Sequence, residues 1–172
     1  MCGDSISILL NLKIRIMDIR QLRAGNLVTT NGKPAGTTNG NVYKVLSTDS
    51  ANRLEELKLI GCATIEILDG EYRTTVGAWL DYLEPIEITD ELLEKIGFQD
   101  RLGIFENKIE NYGIEFLLNN KVLPPLSCLH IYDTSNKGKF KLGADVKYLH
   151  TLQNLIFDIT DLELNVENLI TK

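Results

Sequence analysis

The sequence predicts an α+β protein, in which a small, strongly bent, SH3-like β-sheet lobe precedes a short-stranded antiparallel sheet covered by one amphipathic helix. Three observations predict it. Short aliphatic and aromatic runs are cut by Gly, Asn and Pro turns through the first half. A second set of short alternating runs follows from Ile104 onward. One helical stripe, Leu149, Leu152, Ile156 and Ile159, then closes the pattern. With 172 residues and 44% hydrophobic content, the chain can bury one core, or two small cores sharing an interface. The expected division is residues 1–16 as an N-terminal extension, 17–88 as the β-rich lobe and 89–172 as the α+β lobe, packed as one unit.

Every even position from Ile6 to Ile16 is aliphatic, while Lys13 and Arg15 fall on odd ones, which is a strand pattern rather than a membrane span. Ala24-Gly25-Asn26-Leu27-Val28 reads as a turn feeding a strand. Residues 31–41, crowded with Gly, Asn and Thr, read as a long exposed loop before a strand over 42–46. Gly32-Lys33 is followed by Pro34 and by no helix, so this loop is not a phosphate cradle. Asp69-Gly70 predicts a hairpin turn between strands 63–68 and 71–76, with Ile67 opposite Tyr72, Ile65 opposite Thr74 and Glu66 opposite Arg73. Trp79, Tyr82 and Leu83 read as core.

A connector helix is predicted over 89–97, where Thr89 caps the start, Asp90 and Glu91 complement the dipole, and Gly97 ends it with Phe98 against Leu93. Strands are expected at 104–108, 113–118, 122–123, 129–134 and 139–142, with a further edge strand over 162–166.

The formal charge of -6 argues against general affinity for nucleic-acid backbone. Lys137, Lys139 and Lys141 form the densest basic run and read as a strand protected from edge pairing. Cys2, Cys62 and Cys128 are odd in number and widely spaced, as expected of reduced thiols in a cytoplasm. Cys128 and His130 share a strand face, but no third group can be assigned to them from sequence, so they read as a structural pair and neither a metal nor a cofactor is expected. The unusual feature is the second face of the last helix. His150, Gln153 and Asn154 stand where Lys and Glu are usual, and they give and accept hydrogen bonds in fixed geometry. Together with an aromatic such as Trp79 or Tyr132, they are the candidate ligand-binding residues, with a buried polar network as the structural alternative.

Asp18-Ile19-Arg20-Gln21-Leu22-Arg23-Ala24-Gly25-Asn26-Leu27-Val28, the run from Glu84-Pro85-Ile86-Glu87-Ile88-Thr89 to Phe98, and Leu149-His150-Thr151-Leu152-Gln153-Asn154-Leu155-Ile156-Phe157 resemble motifs of small, functionally uncharacterised proteins carried by prophages and mobile elements of gut Bacteroidetes. Thr151 departs from the Gln of that pattern. The resemblance implies no activity. It begins near Met17, which implies that residues 1–16 are an upstream extension or a mis-set start and dispensable for folding, with an extra strand, as their aliphatic alternation suggests, the alternative. The expected function is a non-enzymatic binding module of a phage or mobile element, recognising a host or phage protein or a small ligand without a membrane. The alternative is a protein that sequesters or hydrolyses a signalling nucleotide.

Overall fold

The computed structural model describes residues 19–55, 58–69, 72–119, 126–134, 139–142 and 146–170. The extension over 1–16 and the strand expected at 122–123 lie outside them. The first sheet is built from β1 (Leu27–Thr30), β2 (Val42–Glu55), β3 (Lys58–Asp69), β4 (Tyr72–Trp79) and β5 (Leu83–Glu84). Its strands are antiparallel and ordered β4-β3-β2-β1-β5. The loop over 31–41 is as expected, but β2 continues to Glu55 rather than stopping at Leu46. The polar run Ser47-Thr48-Asp49 carries no apolar alternation, and pairing with Thr64, Ala63 and Cys62 makes it strand. Register shifts between Val45 and Ser47 and between Asp49 and Arg53 bend this long arm.

The hairpin of β3 and β4 runs one step later than its turn residues suggest. Asp69 pairs with Tyr72, Ile67 with Thr74 and Ile65 with Val76, so Asp69 belongs to the ladder and not to the turn. Each partner moves by two positions, which preserves the faces. Ala63 and Ile65 are therefore buried as expected, and Arg73 reaches Glu66 diagonally at 3.3 Å. Of the aromatic cluster read as core, Leu83 is buried, while Trp79 and Tyr82 are half-buried.

The connector helix α1 (Asp90–Lys95) ends as its residues dictate. The Thr89 hydroxyl accepts the Leu92 N–H at 3.2 Å, and Gly97 takes φ +90°. The Gly97 and Phe98 N–H groups close on the Glu94 and Leu93 carbonyls at 3.0 and 2.9 Å, a Schellman ending with Phe98 and Leu93 in one core. The second sheet follows as β6 (Gln99–Arg101), β7 (Ile104–Ile109), β8 (Tyr112–Asn119), β9 (Leu126–Asp133) and β10 (Lys139–Leu142), antiparallel and in the order β10-β9-β8-β7-β6. β6 is exposed at all three residues, so no apolar alternation announces it.

Helix α2 (Leu149–Thr160) lays Leu149, Leu152 and Ile156 on the inner face of the second sheet, against a core that includes Phe105, Ile114, Phe116, Leu129 and Ile131. The edge strand expected over 162–166 does not form. Leu164 and Val166 are buried in the same core, but no strand pairs with them among the described residues, so their alternation records burial of an extended segment. A second core under the first sheet contains Leu22, Val28, Val45, Ala63, Ile65, Leu80 and Leu83. β1 joins the two. Its successive side chains point to opposite faces, so Leu27 lies in the core of the second sheet and Val28 in the core of the first, both fully buried.

Candidate functional site

The polar face of α2 meets the turn that leads into β1. Gln153 is fully buried, and its side-chain amide bonds backbone on both sides: Oε1 accepts the Leu27 N–H at 3.0 Å and Nε2 donates to the Gly25 carbonyl at 3.1 Å. It replaces a neighbouring strand. On its other edge this turn is held by β2, where the Val45 carbonyl accepts from Gly25 N–H and the Asn26 carbonyl accepts from Val45 N–H, each at 2.8 Å.

Asn154 completes the joint. Its Oδ1 accepts from Arg23 Nε at 2.8 Å and from Asn26 Nδ2 at 2.9 Å, and its Nδ2 donates to the Gln21 carbonyl at 2.7 Å. The Arg23 guanidinium then forks onto Glu163 at 2.6 and 2.9 Å and lies 4.1 Å from the centre of the Phe157 ring. Arg23, Asn26, Gln153 and Asn154 thus spend their polar groups on one another, on backbone and, for Arg23, on Glu163.

His150 differs. It is 1% exposed, its ring stacks on Tyr148 at 5.8 Å between centroids, and neither ring nitrogen has a hydrogen-bond partner among the described residues. Burial holds its pKa at about 4 rather than 6.5, so the imidazole is neutral at pH 7. Tyr148 offers α2 no side-chain cap. The Leu149 N–H instead donates to the Ile86 carbonyl at 2.9 Å, and the Ile88 N–H donates to the Lys147 carbonyl at 3.0 Å.

Tyr132 and Trp79 lie elsewhere. Trp79 closes β4 in the first sheet, paired with Cys62. Tyr132 is on the outer face of the second sheet, where three cross-strand rows form: Ile104, Leu117 and Cys128; then Glu106, Glu115 and His130; then Lys108, Gly113 and Tyr132. The Tyr132 ring covers Gly113 so closely that a Cβ there would collide with it. Tyr132, Gln99, Arg101, Glu106 and Lys108 help to line an open cavity of about 390 Å³. His150, Gln153, Asn154 and Trp79 do not line it.

Cys128 of the first row and His130 and Glu115 of the middle row form a relay. His130 Nε2 lies 3.4 Å from the Cys128 thiol, and His130 Nδ1 lies 3.4 Å from Glu115 Oε2. Glu115 is the third group that sequence could not assign, because the pairing of Glu115 with His130 depends on the β8–β9 register. Its only sequence signal was parity, since Glu115 alternates with the core residues Ile114 and Phe116. No family model, curated protein or solved structure matches the chain, so the site is read from its own residues.

Two outcomes follow for α2. Gln153→Ala leaves two backbone groups in the joint without their partner, at about 1–3 kcal/mol each. Urea unfolding should show a loss of about 2–6 kcal/mol, whereas a loss under about 0.5 kcal/mol, the range of an ordinary surface change, would mean that the joint holds nothing together. His150 sets the acid limb. Between its folded value of about 4 and its unfolded value of 6.5, only the unfolded chain binds the proton. Its contribution is therefore complete above 6.5 and declines as pH falls toward 4, by on the order of 3 kcal/mol in all. His150→Phe should flatten the stability difference between about pH 7.5 and about pH 4.5 by that order, and an unchanged acid limb would contradict it.

Proposed function

We propose that the chain is a cytoplasmic binding module of a mobile element, and that it meets a protein partner through the outer face of the second sheet. The observation that carries this reading is Leu102. It is 104% exposed at the tip of the β6–β7 hairpin, with φ +58°, followed by Gly103 at φ +88°. These two residues form a tight turn of the type usually given to Asn-Gly, because a branched side chain is disfavoured at positive φ. Leu there costs both conformational and solvation free energy, and such outliers cluster at sites of contact. Beside it, Ile104 and Leu117 are 39% and 42% exposed on adjoining strands of the same face. Arg101 lies directly across from Ile104, and Glu106 and Glu115 form the next row, so charged groups border the apolar row, an arrangement common to interfaces.

The motif resemblance supports the mobile-element part of the proposal, and the unbridged thiols of Cys62 and Cys128 suit a reducing compartment. Among the described residues no helix is long and apolar enough to cross a membrane. The SH3-like reading of the first sheet is supported by its meander of β1 to β4, the 3₁₀ turn Leu80–Tyr82 that follows β4, and the return strand β5 paired with β1. The nucleotide-directed alternative called for one concave site joining His150, Gln153 and Asn154 with Trp79 or Tyr132. With Gln153 and Asn154 engaged by the β1 turn, protein binding has the better support.

A photo-crosslinking amino acid in place of Leu102 or Leu117 tests the proposal in the native host. Discrete adducts of one mass should form from both positions and not from exposed Thr75 on the first sheet. The same adducts from all three positions, or none from any, would contradict it.

A further inference from the structure

We propose that Cys128, His130 and Glu115 form a nucleophilic thiol site on the outer face of the second sheet, one that accepts the acyl group of an ester or thioester. This goes beyond partner binding and stands whether or not that reading does. The geometry fixes the roles. A carboxylate at Glu115 can only accept a hydrogen bond, so an imidazole acting as a base at His130 carries its proton on Nδ1, the nitrogen facing Glu115 at 3.4 Å. That tautomer leaves the Nε2 lone pair facing the Cys128 thiol at 3.4 Å, the orientation in which an imidazole takes a thiol proton. Nucleophile, base and orienting carboxylate are thus in sequence, and all three are partly open to solvent.

Metal binding is the poorer use of these residues. Cys128 and Glu115 contact opposite nitrogens of one ring, so their donor atoms do not converge on a point, and no group of three or more His, Cys, Asp or Glu is arranged to hold an ion among the described residues. The neighbours indicate the acyl class. Leu117 is directly across from Cys128 and Ile104 is directly across from Leu117, which gives an apolar strip beside the sulfur for a short aliphatic acyl chain.

The step balances without an oxidant. His130 Nε2 takes the thiol proton, the sulfur attacks the carbonyl carbon, and the C–O or C–S bond to the leaving group breaks. The leaving group departs with the electron pair and takes the proton from His130, leaving an S-acyl thioester on Cys128. Water then attacks that thioester, His130 accepts its proton and returns it to the sulfur, and a carboxylic acid and the free thiol result. Glu115 is a positioning residue that holds the ring tautomer.

Cys62 is an internal reference. Burial, then the charge of Asp49, pushes its thiol pKa up, and no histidine contacts it among the described residues. The full chain is mixed with p-nitrophenyl butyrate at neutral pH, nitrophenolate release is followed, and the acylated cysteine is located by peptide mass spectrometry. The expected result is butyryl on Cys128 at least about tenfold faster than on Cys62, the difference general-base assistance allows. His130→Gln should lower the Cys128 rate about a hundredfold or more, and Glu115→Gln should lower it less, both with circular dichroism unchanged. Acylation of Cys62 as fast as Cys128, or no acyl group on Cys128, would overturn the proposal. An unchanged rate in folded His130→Gln would do the same. Should His130→Gln fail to fold, the comparison of the two cysteines in the unaltered chain and the Glu115→Gln rate decide the matter.

Discussion

The side-chain amide of Gln153 takes a place that a strand would otherwise fill, and the meeting of the two sheets depends on it. β5 pairs with β1 only at Thr29 and Thr30, so the turn before β1 presents Leu27 N–H and Gly25 C=O to the protein interior with no ladder beside them. A buried backbone group without a partner costs as much as a lost hydrogen bond or more. Gln153 supplies one donor and one acceptor at the required spacing from a helix whose opposite face is already committed to the second sheet. Lys or Glu at this position would bring a buried charge and only half of the pairing. The polar face of α2 therefore lacks the charges of a solvated helix because it is an interface between parts of one chain.

The motifs that stand out in the sequence converge on this helix. Arg23, Gly25, Asn26 and Leu27 bind Gln153 and Asn154, while Ile86 and Ile88 bond the backbone at the start of α2. These segments lie far apart in sequence, and the fold makes each a ligand of the others. A distinctive motif can thus mark an architecture without marking an activity. The surface proposed to meet a partner is instead the outer face of the second sheet, whose rows carry no comparable motif.

Where local chemistry determines structure, the sequence was legible. Thr89, Gly97 and Phe98 specify both ends of α1, and the α2 stripe of Leu149, Leu152 and Ile156 is the buried one. Where pairing determines structure, it was less so. Asp69-Gly70 carries a turn signal, yet Asp69 pairs with Tyr72, because side-chain alternation is satisfied equally by a register two positions away. Leu162 to Val166 alternates like a strand but finds a core and no ladder. Of the candidate residues, Gln153 and Asn154 are neighbours as helical spacing requires, whereas Trp79 and Tyr132 belong to different sheets, a separation that no local pattern encodes. Glu115 escaped notice for the same reason.

Native-state hydrogen exchange at the Leu27 amide tests the central claim most directly, since that N–H has Gln153 as its partner and no strand on that edge. If the amide of α2 closes the sheet, Leu27 N–H exchanges only through global opening, as slowly as the slowest amides of β8 and β9. Exchange of Leu27 many times faster than those amides, in a chain whose second sheet stays protected, would show that the joint opens by itself and that the two sheets do not depend on it.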